Sequence, residues 1–165
     1  MESALWGLIG TVVGALASVG TTWLTTRTSH RLQIERTKDE REERLRTFQR
    51  ETILGLQDAL HEGLRQTTHA YIRDQEAHSK GQDWGKIMLP EEISDQIRLA
   101  NRKAVLLIER IADDALRLES RQLLVAMTKM HTAASSVEAR VALDRLSAKA
   151  EELFEHLGTA LRKHY

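Results

Sequence analysis

The sequence predicts an all-α protein: one N-terminal transmembrane helix that continues into a charged helix, then an antiparallel bundle of three to four helices. Three observations carry this. Residues 3–26 hold no charged side chain, and about 20 apolar residues cross a hydrocarbon core of roughly 30 Å. The chain has one proline in 165 residues and is rich in Leu, Ala, Glu, Arg and Gln, which favour helix, with no alternating β-branched runs between turn signals. Beyond residue 45, apolar residues recur at three- and four-residue steps, the period of a helix that buries one face. The expected division is an anchor at 1–26, a charged helical spacer at 27–50 and a helical bundle at 51–165.

The stretch GLIGTVVGALASVGTTW, residues 7–23, is the core of the expected anchor. Trp6 and Trp23 stand near its ends, ~26 Å apart along a helix, where amphipathic indoles anchor at the two membrane–water interfaces. A cleaved export signal fits less well. Ala15-Leu16-Ala17 has the small-x-small form of a cleavage site, but Met1-Glu2-Ser3 brings an acid and no base, and the apolar character runs on to Thr26. Arg27, Arg31, Arg36 and Lys38 follow the span, whereas only Glu2 precedes it. The excess of bases orients the chain with its N-terminus outside and its C-terminal body in the cytoplasm, on the inner face of the cell membrane.

The span is two-faced in size. At about 100° per residue, Leu5, Ile9, Val12, Leu16, Val19 and Trp23 form one stripe, and Ser3, Gly7, Gly10, Gly14, Ala17, Ser18 and Thr21 gather opposite. Small residues let helix backbones approach closely in lipid, where no hydrophobic drive brings them together, and hydroxyls add interhelical hydrogen bonds. Gly10-x-x-x-Gly14, extended by Ser18, is the centre of that face. It is expected to pack on another copy of itself; another membrane helix, or water, are the other occupants.

Residues 27–51 carry fourteen charges, eight basic and six acidic, and no Gly or Pro. Glu40–Arg44 and Glu42–Arg46 stand at i,i+4, and Glu35–Lys38 at i,i+3, spacings that support a solvated helix. A plain charged spacer helix is the expected reading; contact of the bases near the anchor, Arg27 and Arg31 among them, with anionic lipid headgroups is the alternative. Apolar positions are too sparse before Leu45 for a long coiled coil.

In the body, Ile53, Leu56, Leu60, Leu64, Thr67 and Tyr71 mark a helix over 45–77. HSKGQDWGKIMLP breaks it, and Pro90-Glu91-Glu92 suits the start of the next. Ile93, Ile97, Ala100, Ala104, Leu107 and Ile111 form the second stripe, after which Asp113 or Asp114 caps a new helix or marks a kink. Leu116, Leu123, Met127 and Met130 form the third; HTAASS interrupts; and Ser135-x-x-Glu138 is a capping box. Leu143, Leu146, Ala150, Leu153, Leu157 and Ala160 form the last. Stripes joined by short connections predict an up-down bundle, and about 120 residues suffice for one core. Leu99, Leu106 and Val125 fall off these stripes. They lie either at the bundle centre or on a further surface buried by dimerisation.

Catalytic patterns are missing. There is no cysteine, P-loop, GxGxxG or GxSxG. His61-Glu62 opens like a zinc-protease motif, but position 65 is Arg. Asp58-x-x-His61 is a lone pair rather than one of the two Glu-x-x-His pairs of a di-iron bundle. No enzyme activity, cofactor, metal or small-molecule substrate is therefore expected. Net charge is zero, which gives no chain-wide attraction for nucleic acid. Arg98, Arg102, Lys103, Arg110, Arg117 and Arg121 are interspersed with Glu91, Glu92, Asp95, Glu109, Asp113 and Asp114, as on a solvated mixed face. Trp84 lies in the glycine-containing loop, either as a partner contact or as a lid on its own bundle.

The layout of N-terminal span, charged helix and cytoplasmic body resembles that of the b subunit of ATP synthases. The resemblance is one of layout: that family is dominated by one long helix rich in Ala and charge, and this chain breaks at Gly81, Gly85 and Pro90. The expected function is a membrane-anchored adaptor or scaffold that self-associates in the lipid bilayer and binds a protein partner. The alternative is an oligomeric pore-forming or membrane-perturbing effector gated by its bundle.

Overall fold

The computed structural model describes the backbone of residues 2–86 and 88–164, and the side chains of residues 33, 35–86 and 88–164. Four helices are described: α1 (Glu2–Ser79), α2 (Glu91–Ile108), α3 (Asp114–His131) and α4 (Ser136–Arg162). No strand occurs among the described residues. The chain divides into two compact units, residues 1–45 and residues 46–165.

In the first unit the described side chains belong to a charged, exposed stretch of α1. Arg44 pairs with Glu40 at 3.7 Å, as the i,i+4 spacing predicts, and the Thr37 hydroxyl donates to the Gln33 carbonyl at 2.7 Å. Among the described residues no helix is long and apolar enough to cross a membrane. The side chains of the expected anchor, among them Trp6, Gly7, Gly10, Gly14, Ala17, Ser18, Thr21, Trp23, Arg27 and Arg31, lie outside those described.

The second unit is a bundle of the rest of α1 with α2, α3 and α4. Its core takes Ile53, Leu56 and Leu60 from α1, Ala104 and Ile108 from α2, Leu116, Leu123 and Met127 from α3, and Leu146, Leu153 and Leu157 from α4. Burying each large side chain contributes about 1.5–3 kcal/mol. Contacts between helices fix their directions. Gln66 meets Gln96, and Gly55 faces Leu107, so α2 runs antiparallel to α1. Gln122 meets Lys149, and Glu119 meets His156, so α4 runs antiparallel to α3. The predicted stripes supply the buried faces with one shift: Ile108 is buried, Leu107 packs only partly against the core, and Ile111 is buried in the turn beyond α2.

Local chemistry sets the breaks. At the end of α1 the Gly81 N–H donates to the His78 carbonyl and the Gln82 N–H to the Ala77 carbonyl, with Gly81 at φ 89°. That paired closure needs a residue at positive φ, which glycine adopts without a Cβ clash. Pro90 precedes the first turn of α2, and Glu91 and Glu92 lie in it. α2 and α3 are separate helices. Asp113 Oδ1 accepts from the Ala115 and Leu116 N–H groups and starts α3. Gln49 of α1 clamps the turn before it, donating from Nε2 to the Arg110 carbonyl and accepting at Oε1 from the Ala112 N–H, both at 3.0 Å. At α4, Ser135 Oγ accepts from the Glu138 N–H, and Glu138 Oε2 reaches back to the Ala134 N–H, one residue earlier than a standard capping box.

Candidate functional site

A concavity with a volume near 500 Å³ lies between α3 and α4. The two helices are held together beneath it by Leu123, Met127, Leu146 and Leu153. Their outward faces then diverge into a groove. Leu118, Val125, Ala126 and Ala142 form an apolar floor, and Arg121, Lys129, Arg145 and Lys149 stand along its sides with Gln122. No acid lines it.

Two features make this more than a furrow between helices. Leu118 and Val125 are 58% and 55% exposed, so large apolar surface faces water where a monomer gains nothing from it. Secondly, the bases are unevenly engaged. Arg121 pairs with Glu109 at 2.6 Å, and Lys149 donates to Gln122 Oε1 at 3.4 Å. Lys129 and Arg145 have no ion-pair partner among the described residues. A smaller hollow, near 290 Å³, shares Leu118, Gln122 and Lys149 with the groove and is also lined by Glu119 and Glu152. There Glu119 accepts from His156 Nδ1 at 2.8 Å and, with Glu152 and Glu155 nearby, holds the imidazole pKa above its ordinary value. The groove is thus cationic from Lys149 to Lys129 and of mixed charge beyond.

The other marked residues are engaged by the bundle itself. Trp84 is half-buried and packs on the cluster of Tyr71, Met130, Ala133 and Ala139. Its ring lies 5.8 Å from Tyr71 and 5.9 Å, edge-on, from His78. Trp84 thus contacts residues of its own bundle. His61 stacks on the Phe154 ring at 4.0 Å and 12°, joining α1 to α4 rather than pairing with Asp58. His131 shares a hydrogen bond with Thr67 Oγ1 at 3.1 Å; its pKa is lowered by partial burial, against the opposing pull of Asp74. Burial in turn raises the Asp74 carboxyl. Among the described residues no group of three or more His, Cys, Asp or Glu side chains is placed to hold a metal ion.

The arginines of α2 and α3 resolve into a mixed face. Arg98 pairs with Asp95, Arg117 with Asp114 and Arg121 with Glu109. Leu99, Leu106 and Val125 are all exposed, the first at 66%. They are therefore surface residues, not central ones. The bases on α4, Arg145 and Lys149, do not stand out in the sequence because each is preceded or followed by acids on its own helix. The available signal was on α3: residues 120–137 contain no Asp or Glu.

The chain matches no protein-family model, and comparison with curated proteins and with solved structures gives no match.

Proposed function

We propose that this chain is a single-pass, membrane-anchored helical adaptor that self-associates and binds a protein partner through its bundle, without catalysis. The observation that carries the reading is the charge-free run of residues 3–26 placed before Arg27, Arg31, Arg36 and Lys38. A run of that length suits a bilayer, and the following bases favour a cytoplasmic body. The open apolar residues Leu118 and Val125 in the α3–α4 groove, and Leu99 and Leu106 on α2, support a body that docks against something. Gly7, Gly10, Gly14, Ala17, Ser18 and Thr21 would form the close-packing face in lipid.

Fractionation of cells expressing the chain tests the anchor. The protein should stay in the membrane pellet through high salt and alkaline washing and leave it only with detergent. A C-terminal tag should resist protease in intact cells and be cleaved once they are opened. Release without detergent would remove the basis of the proposal; cleavage in intact cells would reverse the orientation. Ion leakage on expression, abolished by bulky substitution at Gly14, would instead favour the pore-forming reading.

A further inference from the structure

The adaptor reading leaves the partner without a chemistry, and the α3–α4 groove supplies one. We infer that this groove receives an acidic amphipathic helix of a partner protein; the inference rests on the adaptor reading and sharpens it. The floor is stepped: Leu118 and Val125 are seven residues apart on α3, two helical turns or about 10.5 Å. Apolar anchors on a docking helix repeat at i, i+3 or i+4, and i+7, which is the same spacing. A helix lying along the groove therefore sets its anchors on both open side chains at once.

Charge gives the partner's sign. Bases flank the floor from both helices, Arg121 and Lys129 on α3 and Arg145 and Lys149 on α4, and no acid lines it. Arg121 is answered by Glu109, but a cationic helix would still face Lys129, Arg145 and Lys149; a neutral one would leave Lys129 and Arg145 unanswered. The bases are also spread along the groove. Arg121 and Lys129 are eight residues apart, roughly 12 Å along a helix. A single lipid headgroup answers one cluster of charge, whereas an acidic helix offers carboxylates along its length on either side of its apolar stripe. A second copy of this chain is less well matched, because each of its helices carries interspersed acids and bases. The apolar steps hold the helix, and the rim charges speed encounter and reject wrong partners.

The test uses the full chain in nanodiscs of uncharged phosphatidylcholine. The probe is a fluorescent, helix-stabilised peptide with leucine at i, i+3 and i+7 and glutamate along both flanks; a second peptide has lysine in place of each glutamate. The glutamate peptide should bind saturably, weaken as salt rises, and lose at least tenfold in affinity in the double variant Lys129→Glu, Arg145→Glu. Neither base has an ion-pair partner to lose, but Lys129 stands in the last turn of α3, where a base is favoured, so the bundle should melt only slightly lower and binding is read well below that transition. Val125→Asp should weaken binding without reversing the preference for acid. Equal binding of the two peptides, or indifference to the double variant, would overturn the inference. Two further results would also overturn it: occupation of the groove by short-chain phosphatidylglycerol with no peptide binding, and loss of oligomers in the double variant with no peptide binding. A chain that still needs detergent to leave the membrane keeps the adaptor reading even if the peptide fails; a chain released without detergent loses that reading whatever the peptide does.

Discussion

Single residues in this bundle differ in whether their environment uses them. Gly158 lies inside α4, and a Cβ built there meets only the Arg162 guanidinium, at 3.7 Å, an ordinary contact. Glycine in a helix interior costs roughly 0.5–1 kcal/mol relative to alanine. Gly158→Ala should therefore stabilise the bundle by about that amount, read as a rise in denaturant midpoint at unchanged slope. Gly63 differs, because a Cβ there would come within 2.6 Å of Met127 Cε. The thioether must move, so alanine at 63 should gain less than at 158. The histidines give a matched pair of opposite sign. His156 has its pKa raised by Glu119, so the fold binds that proton more tightly than the unfolded chain does. Its stabilising contribution is full below pH 6.5, the ordinary value, and is lost as pH rises through the raised pKa. His131 has a lowered pKa, so the unfolded chain takes up that proton first, and stability falls as pH drops below 6.5. Asp74 faces His131 and has a raised pKa of its own, acting at more acidic pH. Melting temperatures at about pH 5.5 and about pH 8, on either side of the histidine range, should separate the two. His131→Asn should raise the value at acid pH relative to that at basic pH, and His156→Gln should lower it. A change of the same sign in both would show that these contacts do not set the pH response.

At the scale of elements, α3 and α4 start on side-chain caps, Asp113 and Ser135. Asp113 satisfies two N–H groups at the head of α3, and the turn before it is held by Gln49. Asp113→Ala should cost about 1 kcal/mol, the usual worth of an N-cap; Asp113→Ser should recover most of it. Hydrogen exchange should show the loss first at the start of α3. Elements of this kind were legible in the sequence because their causes are local. The stripes of α1, α3 and α4, the break at Gly81 and the cap at Ser135 each depend on residues within one or two turns. What could not be read depends on helix pairing. His61 and Phe154 stack across 93 positions, and nothing in either neighbourhood announces it. Gln49 reads as one more polar residue of a charged stretch until α2 and α3 are folded against it. The groove was hidden in the same way: Arg145 and Lys149 look like an ordinary solvated face, and only the packing of α4 on α3 sets them beside Leu118 and Val125. Val125 did stand out as off-stripe, but one off-stripe valine fits a bundle centre as well as an outer surface.

For the whole molecule, which divides into residues 1–45 and residues 46–165, the bundle core and the proposed membrane contact rest on different residues. The core that holds the second unit lies wholly within it; Leu60 is fully buried among residues of all four helices. Leu60→Ala should lose about 2–5 kcal/mol, the range for removing a large core side chain, seen as a lower melting temperature. The proposed membrane contact rests on a different set of residues, Gly7, Gly10, Gly14, Ala17, Ser18 and Thr21, where close approach of backbones is everything. Gly14→Ile puts a branched side chain into that face and should reduce cross-linked oligomers in detergent, with the bundle melting as before. If the two sets of residues act independently, their effects add to within about 0.5 kcal/mol. The double variant Leu60→Ala, Gly14→Ile should then show both losses at their single-variant sizes. Suppose instead that Gly14→Ile leaves the oligomers intact while Leu60→Ala dissolves them. Self-association would then belong to the bundle, through exposed residues such as Leu99 and Leu106, and the small face of residues 3–26 would be free to meet a different helix.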